Sequence, residues 1–529
     1  MSKPSNQLNS LRSALLGCAC LATLGLTVPT AANADPLTIS GPSPFGGCNI
    51  AGEPGTNYLN AEVEPWVDVS PANGNNIIAG WQQDRWSNGG SRSLMSAFSK
   101  NGGSTWKRVM VPGISKCSGG TGDFAYDRST DPWVTIAPDG TAYFMSLSFN
   151  NDRPDGGGGI NAMLVSRSND NGANWGAPQI LIRDTDGRFF SDKNSMTADP
   201  GNSQFVYAVW DRLFDNTLPA GNSAEHRHGD GVANARARRI QNKGGNTFNT
   251  NSFTGPVYFN RTTNGGLSWE PTARMILDTG PNAQTINNLI VVSPSGINGT
   301  VMDFFTHIYH NGDVTIGLLK STDHGATFGP EQTALPIDVT LKGTVTPDAK
   351  EPVRDANILF DVAIDRNSGN LYLVWQDGQH QNLDRVSFSM STNNGVSWST
   401  PVMIAKTPYS TNRLRMQSFV PSVEVAADGR VFVTYYDFRN DVNVGGEFTD
   451  YWAISCDPSL PGTDCRLPSG WGNETKLTGS SFDMLNAPVA RGHFLGDYQG
   501  LVKQGSGVRA VFGVAVGHNE NEMVTSFIP

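Results

Sequence analysis

Short runs of apolar or alternating residues, separated by turn-forming residues, extend along most of the chain. The first group contains four such runs, at residues 65–70, 77–82, 93–99 and 107–111. Between the first two runs stands the sequence Pro-Ala-Asn-Gly-Asn-Asn, which is rich in turn formers. Strand-length runs with this punctuation predict four consecutive antiparallel β-strands.

The same grouping returns six more times. The first strands of the later groups begin near residues 131, 193, 285, 358, 420 and 494. Four antiparallel strands with such turns form one blade of a β-propeller. The last group supplies only three strands, and the N-terminal segment 36–40 could add the fourth and close a ring. The pattern predicts an all-β fold, a seven-bladed β-propeller of four-stranded antiparallel blades, with six blades as the alternative.

A short polar turn recurs between the third and fourth strands of five groups. Its template is Ser/Thr-x-Asp/Asn-x-Gly-x-x-Trp/Phe, and its copies occupy residues 99–106, 168–175, 262–269, 321–328 and 391–398. The Asp or Asn side chain can accept hydrogen bonds from backbone N–H groups ahead of it, and Gly allows a positive φ. Recurrence of this kind marks a repeat architecture. We therefore predict that the turn serves folding rather than catalysis.

The N-terminus has the features of a secretory signal peptide. Lys3 and Arg12 precede an apolar stretch at 13–28, and Ala-Asn-Ala at 32–34 is a small-x-small cleavage site. We therefore expect a signal peptide over 1–34, one continuous domain over 35–529, and a secreted or periplasmic protein.

Four cysteines follow the predicted signal peptide, and outside the cytoplasm an even number suggests disulfides. Four cysteines allow three pairings. The short loop favours Cys456–Cys465, which leaves Cys48–Cys117 by elimination. The loop 456–465, together with Trp471, stands where the sixth group should carry the repeated turn.

Composition and charge exclude several classes of function. The net charge is −10, and 16% of the residues are charged, which argues against a nucleic-acid partner. No stretch after the signal peptide is apolar for long enough to insert into a membrane. An insertion at 214–250 carries His226 and His228, which we interpret as part of a solvated loop. We expect a monomer with no metal site and no cofactor, although calcium is possible in the Asp-rich loops.

Polar residues collect at one end of the predicted strands. Antiparallel order places the starts of the first strands and the ends of the second strands on one face of the ring, around its axis, where ligands bind. The candidate catalytic residues on this face are Asp131, Asp211, Asp437, Tyr436 and Tyr498. The candidate substrate-binding residues are Glu64, Arg85, Arg212, Arg354, Asp377, Arg439 and Asp497. Carboxylates and guanidinium groups could together hydrolyse or clamp a carbohydrate, while the structural alternative is a set of salt bridges between blades.

The repeated turn resembles the Asp box, or bacterial neuraminidase repeat, of the sialidase-like β-propellers, and the resemblance covers most of 35–529. The resemblance implies a Tyr nucleophile, for which Tyr436 and Tyr498 are available, with an Asp acid/base and an arginine triad. Arg85 is similar to one triad arginine. The family's Arg-Ile-Pro motif is replaced here by Glu64-Pro65-Trp66, so an acid stands where the first arginine should be.

These observations lead to a functional expectation. We expect a sialidase-like, glycan-processing enzyme, an exo-acting glycoside hydrolase of the exo-α-sialidase type, with an acidic or complex carbohydrate or polysaccharide as its partner. The alternatives are a polysaccharide lyase and a non-catalytic carbohydrate-binding propeller.

Overall fold

β-Strands dominate the computed structural model, which describes residues 35–151, 159–216, 253–293, 300–335, 342–442 and 445–529. The described residues belong to one unit of structure, 35–529. Among them the only helices are short 3₁₀ turns, at Lys116–Ser118, Gly122–Phe124, Arg413–Met416, Pro468–Gly470 and Met484–Asn486. The predicted signal peptide, His226 and His228 lie outside the described residues.

The strands are numbered in chain order. The first nine are β1 (Leu37–Thr38), β2 (Glu62–Val69), β3 (Ile77–Arg85), β4 (Ser91–Ser99), β5 (Lys107–Met110), β6 (Arg128–Ile136), β7 (Ala142–Phe149), β8 (Asn161–Ser168) and β9 (Gln179–Asp184). The next nine are β10 (Phe189–Ala198), β11 (Val206–Asp215), β12 (Phe253–Thr254), β13 (Val257–Thr262), β14 (Arg274–Leu277), β15 (Gln284–Val292), β16 (Val301–Ile308), β17 (Val314–Ser321) and β18 (Gln332–Leu335). The remaining strands are β19 (Phe360–Ile364), β20 (Leu371–His380), β21 (Leu383–Ser391), β22 (Val402–Met403), β23 (Ser418–Val425), β24 (Val431–Asp437), β25 (Phe448–Cys456), β26 (Gly472–Lys476), β27 (Phe482–Asp483), β28 (Gly500–Gln504), β29 (Gly507–Gly517) and β30 (Glu520–Ile528).

Antiparallel pairing divides all but two of these strands into seven four-stranded units, while β12 pairs with β11 and β27 with β25. Units 1 to 6 are β2–β5, β6–β9, β10-β11-β13-β14, β15–β18, β19–β22 and β23–β26. Units 1 and 2 form one sheet through a single pair, Ser91 with Ser129. Unit 7 consists of β28, β29 and β30, with β1 as its fourth strand, because Leu37 pairs with Thr525 and Thr38 with Val524. The predicted all-β class and the predicted partner of the N-terminal segment are both confirmed.

The first strands of the units contact one another in sequence order. β2 contacts β6, which contacts β10, and the series continues through β15, β19, β23 and β28. β28 in turn contacts β2, so the series returns to unit 1. Apolar side chains fill the spaces between neighbouring units, and the second strands contribute fully buried tryptophans at Trp81, Trp210 and Trp375.

Five repeated turns have the same hydrogen bonds and lie between the third and fourth strands of units 1 to 5. In unit 4 the hydroxyl of Ser321 donates to Oδ1 of Asp323 at 2.7 Å and accepts from the backbone N–H of Gly325 at 2.8 Å. The same Oδ1 accepts from the N–H of Thr327 at 2.9 Å. The other four copies repeat this arrangement. The predicted role of the Asp or Asn side chain as a hydrogen-bond acceptor is confirmed.

Each turn glycine also packs closely against the preceding unit. A Cβ at Gly325 would lie 2.6 Å from Cζ of Phe259 in unit 3, and one at Gly395 would lie 2.9 Å from Leu318 in unit 4. A Cβ at Gly103, in the turn of unit 1, would overlap the guanidinium group of Arg509 of unit 7 in the same way. The turn therefore requires glycine both for its positive φ and for the approach of the neighbouring unit.

Both predicted disulfides are present, as Cys48–Cys117 and Cys456–Cys465. The second occupies the position of the missing sixth turn, between β25 and β26. There the indole N–H of Trp471 donates to the carbonyl of Cys465 at 2.9 Å. A covalent loop thus replaces the hydrogen-bonded turn in unit 6.

The packing of the turn glycine can be tested with two matched substitutions. Gly325 has φ 74° and Gly312 has φ 91°, but a Cβ at Gly312 would meet nothing within 4 Å. We expect both Gly→Ala variants to lose about 1–2 kcal/mol because alanine disfavours the left-handed conformation. Gly325→Ala should lose a further ~1–3 kcal/mol because the methyl group overlaps Phe259. Equal losses in urea unfolding would contradict the proposed contact.

Candidate active site

β-Bulges interrupt the first strands of five units at equivalent places. In β2, β6, β10, β15 and β23 the register shifts by one residue near the start of the strand. Each bulge contains a non-glycine residue with positive φ, namely Glu64, Asp131, Lys193, Asn287 and Val420. Such backbone conformations are uncommon, and bulges redirect side chains. Three of the five residues are charged, and their side chains converge.

The convergence centres on the carboxylate of Asp497, which precedes β28. Nζ of Lys193 lies 2.6 Å from Oδ2 of Asp497 and 3.5 Å from Oε1 of Glu64. Arg354 binds both oxygens of the same carboxylate, with Nε 2.8 Å from Oδ1. The backbone N–H of Asp497 donates to Oε1 of Glu64 at 3.4 Å. Asp131 joins the cluster through Oδ2, which accepts from the backbone N–H of Lys193 at 3.2 Å.

Arg85 occupies the other side of Glu64. Its Nη1 donates to Oε1 of Gln82 at 2.7 Å, and Nε2 of Gln82 donates to Oε2 of Glu64. Both Arg85 and Arg354 lie over the ring of Phe494, with their guanidinium carbons 5.0 and 4.3 Å from its centroid. Nε of Arg85 is buried and has no hydrogen-bond partner among the described residues. This guanidinium therefore retains donors for an anion.

The neighbouring acids Glu64 and Asp497 are shifted in opposite directions. Burial, reinforced by the nearby Asp497 and Asp131, raises the pKa of Glu64 to about 8 despite Lys193. Burial would also raise the pKa of Asp497, but Arg354 and Lys193 outweigh it and hold that pKa well below its ordinary value. At neutral pH the cluster therefore contains a protonated Glu64 beside an ionised Asp497. An acid and a carboxylate side by side are the groups that general acid–base chemistry requires.

Aromatic side chains lie beside the charges. The rings of Trp66 and Trp133 stack with centroids 3.5 Å apart, and Tyr498 contacts both edge-on. These three residues line a cavity together with Asp497. The hydroxyl of Tyr498 donates to the carbonyl of Pro132 at 3.3 Å. Burial and the charges of Glu64, Asp131 and Asp497 raise the pKa of Tyr498 well above its ordinary value, so it is a neutral phenol.

The structure thus brings together six of the sequence candidates, Glu64, Arg85, Asp131, Arg354, Asp497 and Tyr498. Two other candidates are fully buried between units. Asp211 accepts a hydrogen bond from Nδ2 of Asn288, and Tyr436 donates to the carbonyl of Gly513 at 2.7 Å while packing against Tyr451. Burial raises the pKa of both side chains well above their ordinary values.

The remaining candidates pair away from the cluster. Arg212 binds Asp184 of unit 2 at 3.0 Å and lies 4.0 Å over Phe189. Arg439 binds Asp437 at 2.6 Å and lies 3.9 Å over Trp452, all within unit 6 and the segment that follows β24. Oδ1 of Asp377 accepts from the backbone N–H of Gln379 at 2.9 Å. The Asp–Arg pairs at 211–212 and 437–439 therefore do not form one site. Asp211 and Arg212 are successive strand residues and point to opposite faces of the sheet, whereas Asp437 and Arg439 pair with each other.

Lys193 is the one member of the cluster that is not among the residues predicted from the sequence. The nearby Asp131, Asp497 and Glu64 raise its pKa despite burial, so it is an ammonium ion. A signal for Lys193 was present in the sequence, because it begins the third group at the place where Glu64 and Asp131 begin the first two. Glu64 and Asp131 are each followed by a proline, but Lys193 is not. The sequence therefore gives no comparable signal for the bulge that directs Lys193 inward.

No group of three or more His, Cys, Asp or Glu side chains in the described part of the chain is arranged to hold a metal ion. None of the helices within the described ranges is long and apolar enough to cross a membrane.

Comparison with known proteins finds no matching family model and no match among curated proteins. Among solved structures, a protein of unknown function from Dyadobacter fermentans is 15% identical over 80% of this chain and 97% of its own, with a TM-score of 0.44. The GH93 α-L-arabinofuranosidase of Fusarium graminearum is 10% identical over 94% and 98%, with a TM-score of 0.45. The Hadza microbial sialidase Hz136 is 12% identical, with a TM-score of 0.41, over 72% of this chain and 64% of that chain, which is less than two thirds of the sialidase.

The protonation of Glu64 predicts a pH-dependent effect on stability. A pKa raised from 4.5 to about 8 means that the folded state binds a proton more tightly than the unfolded chain does. Stability therefore falls as pH rises through this window, with a slope of at most ~1.4 kcal/mol per pH unit. Glu64→Gln removes this slope, so we expect the variant to gain stability relative to the wild type between about pH 5 and pH 8.

The control is Asp323→Asn, in the repeated turn of unit 4. Hydrogen bonds from Thr327 and Ser321 hold the pKa of Asp323 below its ordinary value, so its carboxylate is ionised in both the folded and the unfolded state over the same range. Its substitution should change stability by an amount that does not vary between about pH 5 and pH 8. Urea unfolding measured across this range tests both statements, and a constant difference between Glu64→Gln and the wild type would refute the protonation of Glu64.

Proposed function

We propose that this chain is an exported glycoside hydrolase with a seven-bladed, sialidase-like β-propeller fold, whose active centre is the cluster of Glu64, Arg85, Asp131, Lys193, Arg354 and Asp497. The observation that carries the proposal is a protonated Glu64 in one cluster with the carboxyls of Asp131 and Asp497 and three cations. An acid that keeps its proton at neutral pH can serve as a general acid. The two disulfides and the predicted signal peptide support export.

The closed ring is inferred from contacts of two kinds. The first strands contact one another in a series that returns from β28 to β2. Independently, the turn glycine of unit 1 packs against Arg509 of unit 7, as the later turn glycines pack against their preceding units. β1 adds the last strand of unit 7 from the opposite end of the described chain. These contacts support seven blades rather than six, and the five repeated turns are then the Asp boxes of the propeller.

In this proposal Glu64 is the general acid, because it carries a proton at neutral pH. Asp131 is the base or nucleophile, because its side chain accepts only from the hydroxyl of Thr130, at 2.8 Å, and the N–H of Lys193 among the described residues. Asp497 orients Arg354 and Lys193, since both of its oxygens are occupied by these cations. Tyr498 serves as a neutral contact beside Trp66 and Trp133 rather than as a nucleophile, because the surrounding carboxylates disfavour its phenolate.

Arg85 is proposed to select the substrate. Its unpartnered Nε is a donor for a carboxylate, and its guanidinium group is planar and suited to bidentate recognition. Burial, and after it repulsion from Arg354, lowers the pKa of Arg85. An anion shared by the two arginines over Phe494 would relieve this repulsion. The proposed substrate is therefore an acidic carbohydrate, and exo action remains part of the proposal.

A carbohydrate-binding propeller without catalytic activity is the second candidate. The saturation of Asp497 by Arg354 and Lys193 favours it, because buried charges that neutralise one another can serve structure or recognition alone. A polysaccharide lyase that acts on an acidic carbohydrate is the third candidate function for the same site.

The test is an assay of purified protein against sialylated, uronate-containing and neutral oligosaccharides. A hydrolase releases reducing ends, a lyase generates an ultraviolet-absorbing unsaturated product, and a binding module retains the sugar without product. We expect reducing ends from an acidic substrate, with Glu64→Gln lowering kcat by about 10²–10⁴-fold because the general acid is lost. Arg85→Met should mainly raise KM for the acidic substrate.

Arg430→Met is the control for the loss of an arginine. Arg430 pairs with Asp428 at 2.9 Å in the turn between β23 and β24, away from the cluster, and its replacement should leave kcat and KM unchanged. If the wild type binds an acidic oligosaccharide without product, the binding candidate replaces the hydrolase. If Glu64→Gln turns over an acidic substrate at the wild-type rate, Glu64 is not the acid.

A further inference from the structure

The interface between unit 3 and unit 4 contains a second group of buried acids. Asp211 on β11 and Asp303 on β16 are both fully buried, and Asn288 on β15 joins them through the hydrogen bond from its Nδ2 to Oδ1 of Asp211. On the same strands, Val209 and Phe305 belong to the apolar core between the two units. Because alternate strand residues share a face, Asp211 and Asp303 point into this same interface.

Several oxygen atoms in this interface lack a hydrogen-bond partner. Both carboxylate oxygens of Asp303, Oδ2 of Asp211 and Oδ1 of Asn288 are buried and unpartnered within the described ranges. All four atoms are acceptors in the ionised pair, so they cannot satisfy one another. Leaving buried acceptors unpartnered costs about 1–3 kcal/mol each, and more for a charged group. If the two acids are ionised, they therefore need a positively charged species between the two strands.

The charged groups around the pair do not supply that charge. Asp211 lies near Asp192, whose negative charge adds to that of Asp303. Lys193 is the nearby cation, but its ammonium group lies 2.6 Å from Asp497 and 3.5 Å from Glu64 in the central cluster. Burial alone raises the pKa of Asp303 well above its ordinary value. The pair thus needs either protons or a bound cation.

We propose that Asp211, Asp303 and Asn288 bind one divalent cation of the calcium class between unit 3 and unit 4. Calcium prefers carboxylate and amide oxygens and takes several of them at once, with water or backbone oxygens completing its coordination. One such ion would be shared by the two acids, whereas a proton serves one acceptor at a time. The site joins two carboxylates to an amide oxygen, so it does not require a third acidic ligand.

This assignment changes the role of Asp211 and does not depend on the proposed hydrolase activity. Asp211 becomes a structural ligand rather than a catalytic residue. The cation would join the second strand of unit 3 to the first two strands of unit 4, in an interface that the hydrogen bond from Thr197 to the carbonyl of Ile290 also crosses. Its removal should loosen this interface.

The test measures metal content and thermal stability of the full-length, processed protein. After dialysis against buffer containing CaCl₂ and removal of free ion, elemental analysis should find one equivalent of calcium. Chelation with EGTA should lower Tm by at least about 2 °C, and CaCl₂ should restore it. Asp303→Asn, which preserves shape and removes one charge, should lose the bound calcium and the response of Tm to EGTA.

Asp361→Asn is the matched control. Asp361 is also a strand carboxyl and is partly buried, but its oxygens accept from the backbone N–H groups of Val362 and Val423, at 2.9 and 2.8 Å. This variant should retain one equivalent of calcium even if it is less stable. The control separates loss of a ligand from general damage to the fold.

Three results would overturn the proposal. Wild-type protein without stoichiometric calcium, and with the same Tm in EGTA and CaCl₂, would mean that the carboxyls are protonated instead. Calcium retained by Asp303→Asn would place the ion elsewhere, as would its loss from Asp361→Asn alone. If Asp303→Asn does not fold, the calcium content and EGTA response of the wild type still decide between a cation and protons.

Discussion

The ion pair between Asp497 and Arg354, completed by Lys193, is the interaction on which the central structure depends. Arg354 precedes β19 of unit 5, Lys193 lies on β10 of unit 3, and Asp497 precedes β28 of unit 7. Three units that are remote in sequence are therefore joined at one carboxylate. Removing charges from water is costly, and the cost is offset only when every charge has partners of opposite sign. The arrangement of the neighbouring first strands must satisfy this requirement.

The bulges explain how the first strands bring these charged side chains together. A regular strand would direct alternate side chains to opposite faces, between neighbouring units, and would bring few of them to the centre. The residues with positive φ at Glu64, Asp131 and Lys193 depart from this pattern at equivalent places and converge. Such conformations persist only where the surrounding structure holds them, and they are frequent at functional sites. The backbone irregularity and the charge cluster are thus one feature.

The repeated turn has a different function from the cluster. It joins the third and fourth strands, while the cluster forms where the first strands begin. The turn fixes the outer part of each unit through the hydrogen bonds of its Asp or Asn side chain, and its glycine packs on the preceding unit. The most conspicuous motif in the sequence therefore orders the units, and less conspicuous residues supply the chemistry.

The sequence by itself determined the strands, their grouping in fours, the position of the repeated turns and both cysteine pairings. The strands, the turns and the Cys456–Cys465 loop are local or repeated, so alternation, turn residues and short loops are sufficient to predict them, and Cys48–Cys117 then follows by elimination. It also supplied five of the six members of the charge cluster, and Tyr498 beside them, because they stand at predicted strand ends. Only the tertiary structure separated Glu64, Arg85 and Asp497 from Arg212, Asp437 and Arg439, which have the same residue types at similar places. The physical reason is that a bulge of one residue decides whether a side chain points to the centre or between the sheets, and burial among particular neighbours decides whether an acid keeps its proton.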